Sequence, residues 1–394
     1  MARPGLATRL YQGEANINIV GRRKTWFLVA ALLVVFSIGT IAIRGFHLGI
    51  EFSGGTSFTL PAAAAGKTLT QDDAEDVVTR AIHAVQPDAT VLAAQQIGTG
   101  DSSSFTVRAS ALSAPEVEKA KTAIVGELGL TADQVSDNQV SSAWGGAVTE
   151  KAILGLVIFL ILVVAYLIVR FEWRMAVGAL ASLLLDLTLT AGIYSAVGFE
   201  VTPSTVIGFL TILGYALYDV VVVFDKVQEN TRGITAGSGR TYAEATNLAV
   251  NQTLMRSLNT GLVALLPVGG LLFIGAGLLG AGTLKDLGLV LFVGMGLGVI
   301  SSIVFAAPVL SALKDQEPKI KAHNARVLAK RASRSDDVAP RAERTRSADA
   351  TDSDEPAFVG GTTPRPGARP AVKRNTTNRG GGAGNRPSGG GKRR

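Results

Sequence analysis

Three ionisable side chains in this 394-residue chain sit in or at the mouth of long apolar runs, where a charge needs a physical reason. Asp186 lies within Leu183-Leu-Leu-Asp186-Leu-Thr-Leu-Thr190. Asp219 lies within Gly214-Tyr-Ala-Leu-Tyr-Asp219-Val-Val-Val-Val-Phe-Asp225, and Arg256 opens the next run. At the centre of a membrane helix such a charge costs about 2.5–3.5 kcal/mol on insertion scales, so these groups face a helix interior or one another. An acid in a low-dielectric site takes up a proton, and an approaching guanidinium favours its release. Asp219 with Arg256, and Asp186 beside them, are therefore candidate proton-coupling groups. The plainer alternative is polar glue between helices, with the Thr188, Thr190, Tyr215 or Tyr218 hydroxyls satisfying the acids. Asp225 is of another kind. It is six residues past Asp219, about 120° round the helix, and reads as a charge at the helix end.

The elements that position these groups follow from hydropathy. The chain is 47% hydrophobic and 18% charged, with charges concentrated outside six apolar runs at about 25–43, 152–169, 175–197, 203–224, 257–279 and 286–313. Each is long enough to cross a hydrocarbon layer of about 30 Å. The first follows the basic segment 1–24 and closes on Arg44-Gly45-Phe46 without a small-residue cleavage site, which favours an uncleaved anchor over a signal peptide. Arg22–Lys24, Arg170, Arg174, the 226–256 loop and the basic end of the chain predict the cytoplasmic side, with both termini inside. Residues 45–148 carry 5 Lys/Arg against 12 Asp/Glu and fall outside, whereas 314–394 carry 19 against 9.

Residues 45–148 read as an α+β domain. A β-like stretch over 45–60 contains the Gly54-Gly55 turn. A helix follows Thr70 with Val77, Val78, Ala81 and Ile82 on one face. Strands at 89–97 and 104–109, a helix from Ser113 and a last strand near 135–142 complete a β-α-β-β-α-β, ferredoxin-like order. Residues 149–313 form a five-helix region, in which Gly294-Met-Gly-Leu-Gly298 predicts close helix packing and Pro267-Val-Gly-Gly270 a kink. Residues 314–394, rich in Arg, Ser, Pro and Gly, are expected to be a disordered basic tail that meets anionic lipid rather than nucleic acid. Pro61-Ala-Ala-Ala-Ala-Gly66-Lys67-Thr68 mimics a phosphate loop, but proline replaces its first glycine, so no nucleotide site is expected. With no cysteine and three scattered histidines, no metal or other cofactor is expected either.

Three strings, in order and in compatible membrane compartments, resemble the SecD/SecF family of bacterial protein-export membrane subunits, on its SecF side. They are Gly49-Ile-Glu-Phe-Ser-Gly-Gly-Thr56, Gly214–Asn230 and Asn251-Gln-Thr-Leu-Met-Arg256-Ser-Leu-Asn-Thr260. The resemblance covers about residues 20–313. It implies an α-helical membrane protein of RND-type topology: six transmembrane helices with a small ferredoxin-like extracytoplasmic domain between helices 1 and 2. It further implies a non-hydrolytic auxiliary subunit in the bacterial cytoplasmic (inner) membrane, promoting translocation of secreted polypeptides at the expense of the proton gradient. The implied partners are SecD, the SecYEG channel and client polypeptides, with YajC as a further candidate. The family's intramembrane acids fall on Asp219 and Asp186 and its arginine on Arg256. Tyr218 and Leu185 stand where the family commonly has Asn and His. An RND-type exporter subunit for small molecules or lipids, and a non-transporting scaffold subunit, are the competing readings.

Overall fold

The computed structural model describes residues 16–64, 67–100, 103–279 and 282–348. Residues 1–15, the Gly66 of the loop-like string and everything after 348 lie outside the described residues. Six helices are long and apolar enough to cross a membrane: Val20–Arg44, Ser142–Arg170, Trp173–Val197, Pro203–Ala236, Tyr242–Leu278 and Leu284–Asp315. They are called the first to sixth spans below. The fourth starts at a capping box, with Thr202 accepting from the Thr205 backbone and Pro203 in the first turn.

The expected loop over 226–256 is mostly helix. Its fourth-span helix continues to Thr231, and a second capping box, Thr241 with Glu244, starts the fifth-span helix at Tyr242. From there Tyr242, Ala245, Thr246, Ala249, Val250, Thr253 and Leu254 are buried on one face. Hydropathy averaging hides such a stripe, because the opposite face is polar.

Small residues set how closely the spans approach. The fourth and sixth run parallel and meet every fourth residue, Gly208 against Val290, Ile212 against Gly294 and Ala216 against Gly298. A methyl on Gly294 would collide with the Ile212 side chain, while one on Gly298 would lie 3.3 Å from Ala216 Cβ. Gly192 of the third span meets Ser37 of the first in the same way. Prolines perturb two helices. After Pro267 the fifth span continues as a π-helix over Gly270–Leu278, and the sixth is π-helical over Ser302–Ala306 just before Pro308. Pro308 has no N–H for the Val304 carbonyl, which loosens the ladder at that turn.

The domain between the first two spans has a four-stranded antiparallel sheet in the order β5-β6-β2-β7. The strands are β2 (Gly55–Pro61), β5 (Val91–Ile97), β6 (Ser104–Ala109) and β7 (Ser136–Val140). With helices α2 (Gln71–Val85) and α3 (Ala114–Leu128) on its face, this is the expected β-α-β-β-α-β order. Val77, Val78, Ala81 and Ile82 of α2 and Ala120 and Ile124 of α3 pack on Phe58, Leu60 and Val107.

The 45–60 stretch is not one strand. β1 (His47–Leu48) pairs in parallel with β8 (Glu200–Val201) between the third and fourth spans, and α1 (Ile50–Ser53) is a single helical turn. The alternation of Phe46, Leu48, Ile50 and Phe52 mimicked a strand, but only Ile50 and Phe52 are buried. Gly54 then reverses the chain at φ +74° and Gly55 follows at φ +141°, a pair of conformations that side chains disfavour. A methyl on either would meet backbone, Ser142 at the start of the second span or the Ala109 carbonyl.

Over 314–348 the expected disorder is corrected as well, while the rest of the expected tail lies outside the described residues. The sixth-span helix runs to Asp315, and α4 (Pro318–Ala348) follows. Its Ile320, His323 and Val327 are buried. His323 Nε2 lies 2.9 Å from the Arg240 carbonyl, Asn324 accepts from the Tyr242 N–H at 3.0 Å, and Arg331 pairs with Glu244 at 2.6 Å. Low average hydrophobicity concealed this buried stripe, which includes a histidine bonded to the Arg240 carbonyl.

Overpacking by a side chain forced into a tight crossing costs about 1–3 kcal/mol. Gly294→Val should therefore lower the thermal unfolding midpoint in detergent, whereas Gly296→Val, with open space at its Cβ, should leave it near that of the parent.

Candidate functional site

The register of the fourth and sixth spans delivers Asp219 to the π-helical turn of the sixth. One turn beyond the Ala216–Gly298 contact, Ser302 Oγ donates to Asp219 Oδ2. Ser257 Oγ, from the fifth span, donates to Oδ1 at 2.7 Å. Asp219 is 2% exposed, and both serines are fully buried. Each carboxylate oxygen thus has one hydroxyl donor from a different helix. The four-residue register that sets Ala216 against Gly298 brings Ser302, the first residue of the π-helical turn, to Asp219.

Asp186 of the third span is fully buried on the other flank of the sixth. A methyl on Gly298 would lie 3.9 Å from its Oδ2. The Ser301 hydroxyl neighbours the carboxyl, yet its hydrogen bond runs to the Gly298 carbonyl at 3.2 Å. Among the described residues, neither Asp186 oxygen has a hydrogen-bond partner. Ser182 and Thr190, one turn either side, extend the polar stripe, with Ser182 donating to Ser301 at 3.4 Å and Thr190 to the Asp186 backbone carbonyl at 2.7 Å. The two acids are therefore not in one pocket between the third and fourth spans. They flank the sixth span, at its adjacent residues Ser301 and Ser302.

Arg256 is placed differently from the expectation of a pair with Asp219. It is exposed on the surface of the chain, and its Nη2 donates to the Tyr218 hydroxyl at 3.4 Å. No cation pairs with Asp219 among the described residues; Ser257, the neighbour of Arg256, holds it instead. None of the four hydroxyls proposed as glue binds a carboxylate either. Thr188 bonds the Leu184 carbonyl, Thr190 the Asp186 backbone, Tyr218 accepts from Arg256, and the Tyr215 hydroxyl is buried without a partner. Asp225 pairs with Arg170 at 2.7 Å, with both side chains more than two-fifths exposed. Gly54 and Gly55 belong to the domain and take no part in this site.

Ser257, Ser301 and Ser302 were missed in the sequence because charge alone marked a candidate. The signal was present as two adjacent serines inside an otherwise apolar span.

Comparisons with known proteins bear on the family and the fold. The family described as "Protein export membrane protein SecD/SecF, C-terminal" matches residues 120–316, and the "SecD/SecF GG Motif" matches residues 39–65, around Gly54 and Gly55. The protein translocase subunit SecF of Streptomyces coelicolor is 46% identical over 328 residues, 83% of this chain and 84% of that protein. This chain belongs to the SecF family. The SecF of Mycobacterium tuberculosis is 44% identical over 331 residues, 82% of this chain and 73% of that one. The crystal structure of the SecDF of Thermus thermophilus, a translocon-associated membrane protein, superposes with a TM-score of 0.64 at 28% identity. That match covers 79% of this SecF-family chain and 42% of the SecDF chain, so six spans here correspond to part of a longer fused protein. The expected six-span, α+β fold of a multi-pass membrane protein is what the SecF-family chain adopts.

Removing one donor from a buried carboxylate costs about 1–3 kcal/mol. Ser302→Ala should destabilise the detergent-solubilised protein by that order, and less so in an Asp219→Ala background. A double-mutant cycle by thermal unfolding should return a coupling of about 0.5–3 kcal/mol; a coupling of zero would separate Ser302 from Asp219.

Proposed function

We propose that the chain is the SecF subunit of the Sec export machinery, an accessory subunit that works with SecD to convert the proton gradient into movement of secreted polypeptide. The names of the relatives support the export role, and the fused SecDF chain supports SecD as partner. SecYEG, the client polypeptides and YajC are further partners in this reading. No cofactor is required, and the chain hydrolyses nothing. The basic flanks at Arg22–Lys24, Arg170 and Arg174 put the α+β domain on the outer face of the cytoplasmic membrane and both ends of the chain inside.

The observation that carries the proton-coupling reading is Asp219 held by Ser257, with Arg256 one residue away and unspent on any carboxylate. Neighbouring residues on a helix point about 100° apart. A rotation of the fifth span would exchange the Ser257 hydroxyl for the Arg256 guanidinium at Asp219. Protonated Asp219 can donate to a hydroxyl, which also accepts, but not to a guanidinium, which only donates; ionised Asp219 suits the guanidinium, so the rotation and the proton move together. Asp186, buried with neither oxygen bonded, is the second acid on the route. Each proton crossing 100 mV supplies about 2.3 kcal/mol. Arg256 and Tyr218 are exposed on this chain alone, and a guanidinium facing lipid is costly. A protein surface, here assigned to SecD, covers that face.

Asp219→Asn keeps size and hydrogen bonding but cannot release a proton. In vesicles with normal amounts of the variant and of its SecD complex, gradient-stimulated export should fall to the level seen without the subunit. Arg256→Lys should retain part of the stimulation, because it keeps charge but not the planar fork, and Asp225→Asn should retain most of it. Undiminished, gradient-dependent export by Asp219→Asn would leave Asp219 as a packing residue.

A further inference from the structure

A second cluster of charges lies where the α+β domain meets the spans, around a cavity of about 310 Å³. Arg108 of β6 donates to Glu200 of β8, and their side chains are only 12% and 6% exposed. Glu51 of α1 faces Glu200 across Gly49, where an added methyl would collide with a carboxylate oxygen of each. Glu51 Oε2 is buried and, among the described residues, has no hydrogen-bond partner. Lys285 and Asp286 of the sixth span complete the wall; the Lys285 ammonium donates to the Gln96 carbonyl at 3.4 Å and its charge also acts on Asp286. Among the described residues, Arg108 hydrogen-bonds Glu200 and the neutral Gln95 of β5, the latter at 3.3 Å. Three acids thus share a small buried space in which one guanidinium is committed to one of them. A proton is the simplest species that completes such a site, since it turns one carboxyl into a donor for its orphaned neighbour.

We infer that Glu200, facing Glu51 across Gly49, is a second proton-binding site on the domain side of the spans, and that a proton held there keeps the sheet seated on the spans, whereas its loss sets three carboxylates against one guanidinium and loosens the sheet. For its place in a transport cycle the inference rests on the proton-driven reading above; the site itself does not. Burial, and then the Asp286 and Glu51 charges, push the Glu200 carboxyl from its ordinary 4.5 up to about 7, against the opposing pull of Arg108. Below about 7 Glu200 is protonated and can donate to Glu51; as pH rises through about 7 it ionises beside Glu51 and Asp286. Because the folded value is the higher one, the folded chain holds the extra proton between these limits, and this group's contribution to stability falls as pH rises across them. Three carboxylates facing one guanidinium in a buried space repel one another, which drives the cavity wall apart and β6 with it towards water. The Arg108–Glu200 pair is the only ion pair between the sheet and the span side among the described residues.

The chain contains no cysteine, so spin labels can be placed at two exposed sites, Lys119→Cys on α3 and Val197→Cys at the end of the third span. In the full chain in nanodiscs, without gradient or client, the distance between labels should be short and narrow at pH 5. It should lengthen or broaden at pH 9, with a midpoint near 7. Glu200→Gln should show the low-pH distribution at both pH values, and Asp225→Asn should keep the parent response. A parent distribution that ignores pH overturns the inference, as does a Glu200→Gln variant that still responds or an Asp225→Asn variant that does not. Because no export is measured, failure of the Asp219 export mechanism would leave this result standing, and the converse holds.

Discussion

A carboxylate buried among helices must be given hydrogen-bond donors or a proton, and much of the membrane region is organised by that requirement at Asp219. Its two oxygens take hydroxyls from the fifth and sixth spans, Ser257 and Ser302. Ser302 reaches it because the fourth and sixth spans approach closely through Gly208, Gly294 and Gly298, a register repeated every four residues. The π-helical turn at Ser302–Ala306 begins at this residue. Helix packing and the acid in the fourth span are therefore parts of one device.

The sixth span is also the element that touches both buried acids. Asp186 faces Gly298 and Ser301, while Asp219 faces Ser302. A small rotation of this helix alters both environments together, which packing between the third and fourth spans alone would not do. At its domain end the same helix begins with Lys285 and Asp286, in the wall of the charged cavity that holds Glu200. A helix loosened by π turns and lined with glycine on its contact face is suited to such motion.

Much of this was legible in the sequence. Hydropathy marks six spans because hydrocarbon admits little else, and the β-α-β-β-α-β order follows from periodicity and capping residues such as Thr70 and Ser113. Asp186 and Asp219 stand out because charge is rare in such surroundings. Less legible were features that depend on three-dimensional partners. The helical run from Tyr242 and the α4 stripe Ile320, His323 and Val327 are each too polar on average to register, and each is buried by the other's neighbourhood. Ser257 and Ser302 carry no charge, and only geometry shows that they, rather than Arg256, hold Asp219. The short helix at Ile50–Ser53 was hidden because alternation of four apolar residues suits a strand as well as a turn flanked by Gly49 and Gly54.

The claim on which the account turns is that Asp219 exchanges a proton with its surroundings while held by serine hydroxyls. Infrared difference spectroscopy of the purified protein in lipid, stepped between acid and alkaline pH, reads that exchange directly as a carboxylic C=O band replaced by carboxylate. The account predicts a band that is absent in Asp219→Asn and shifted in frequency in Ser302→Ala. A spectrum identical in the parent and Asp219→Asn across the whole pH range would contradict it.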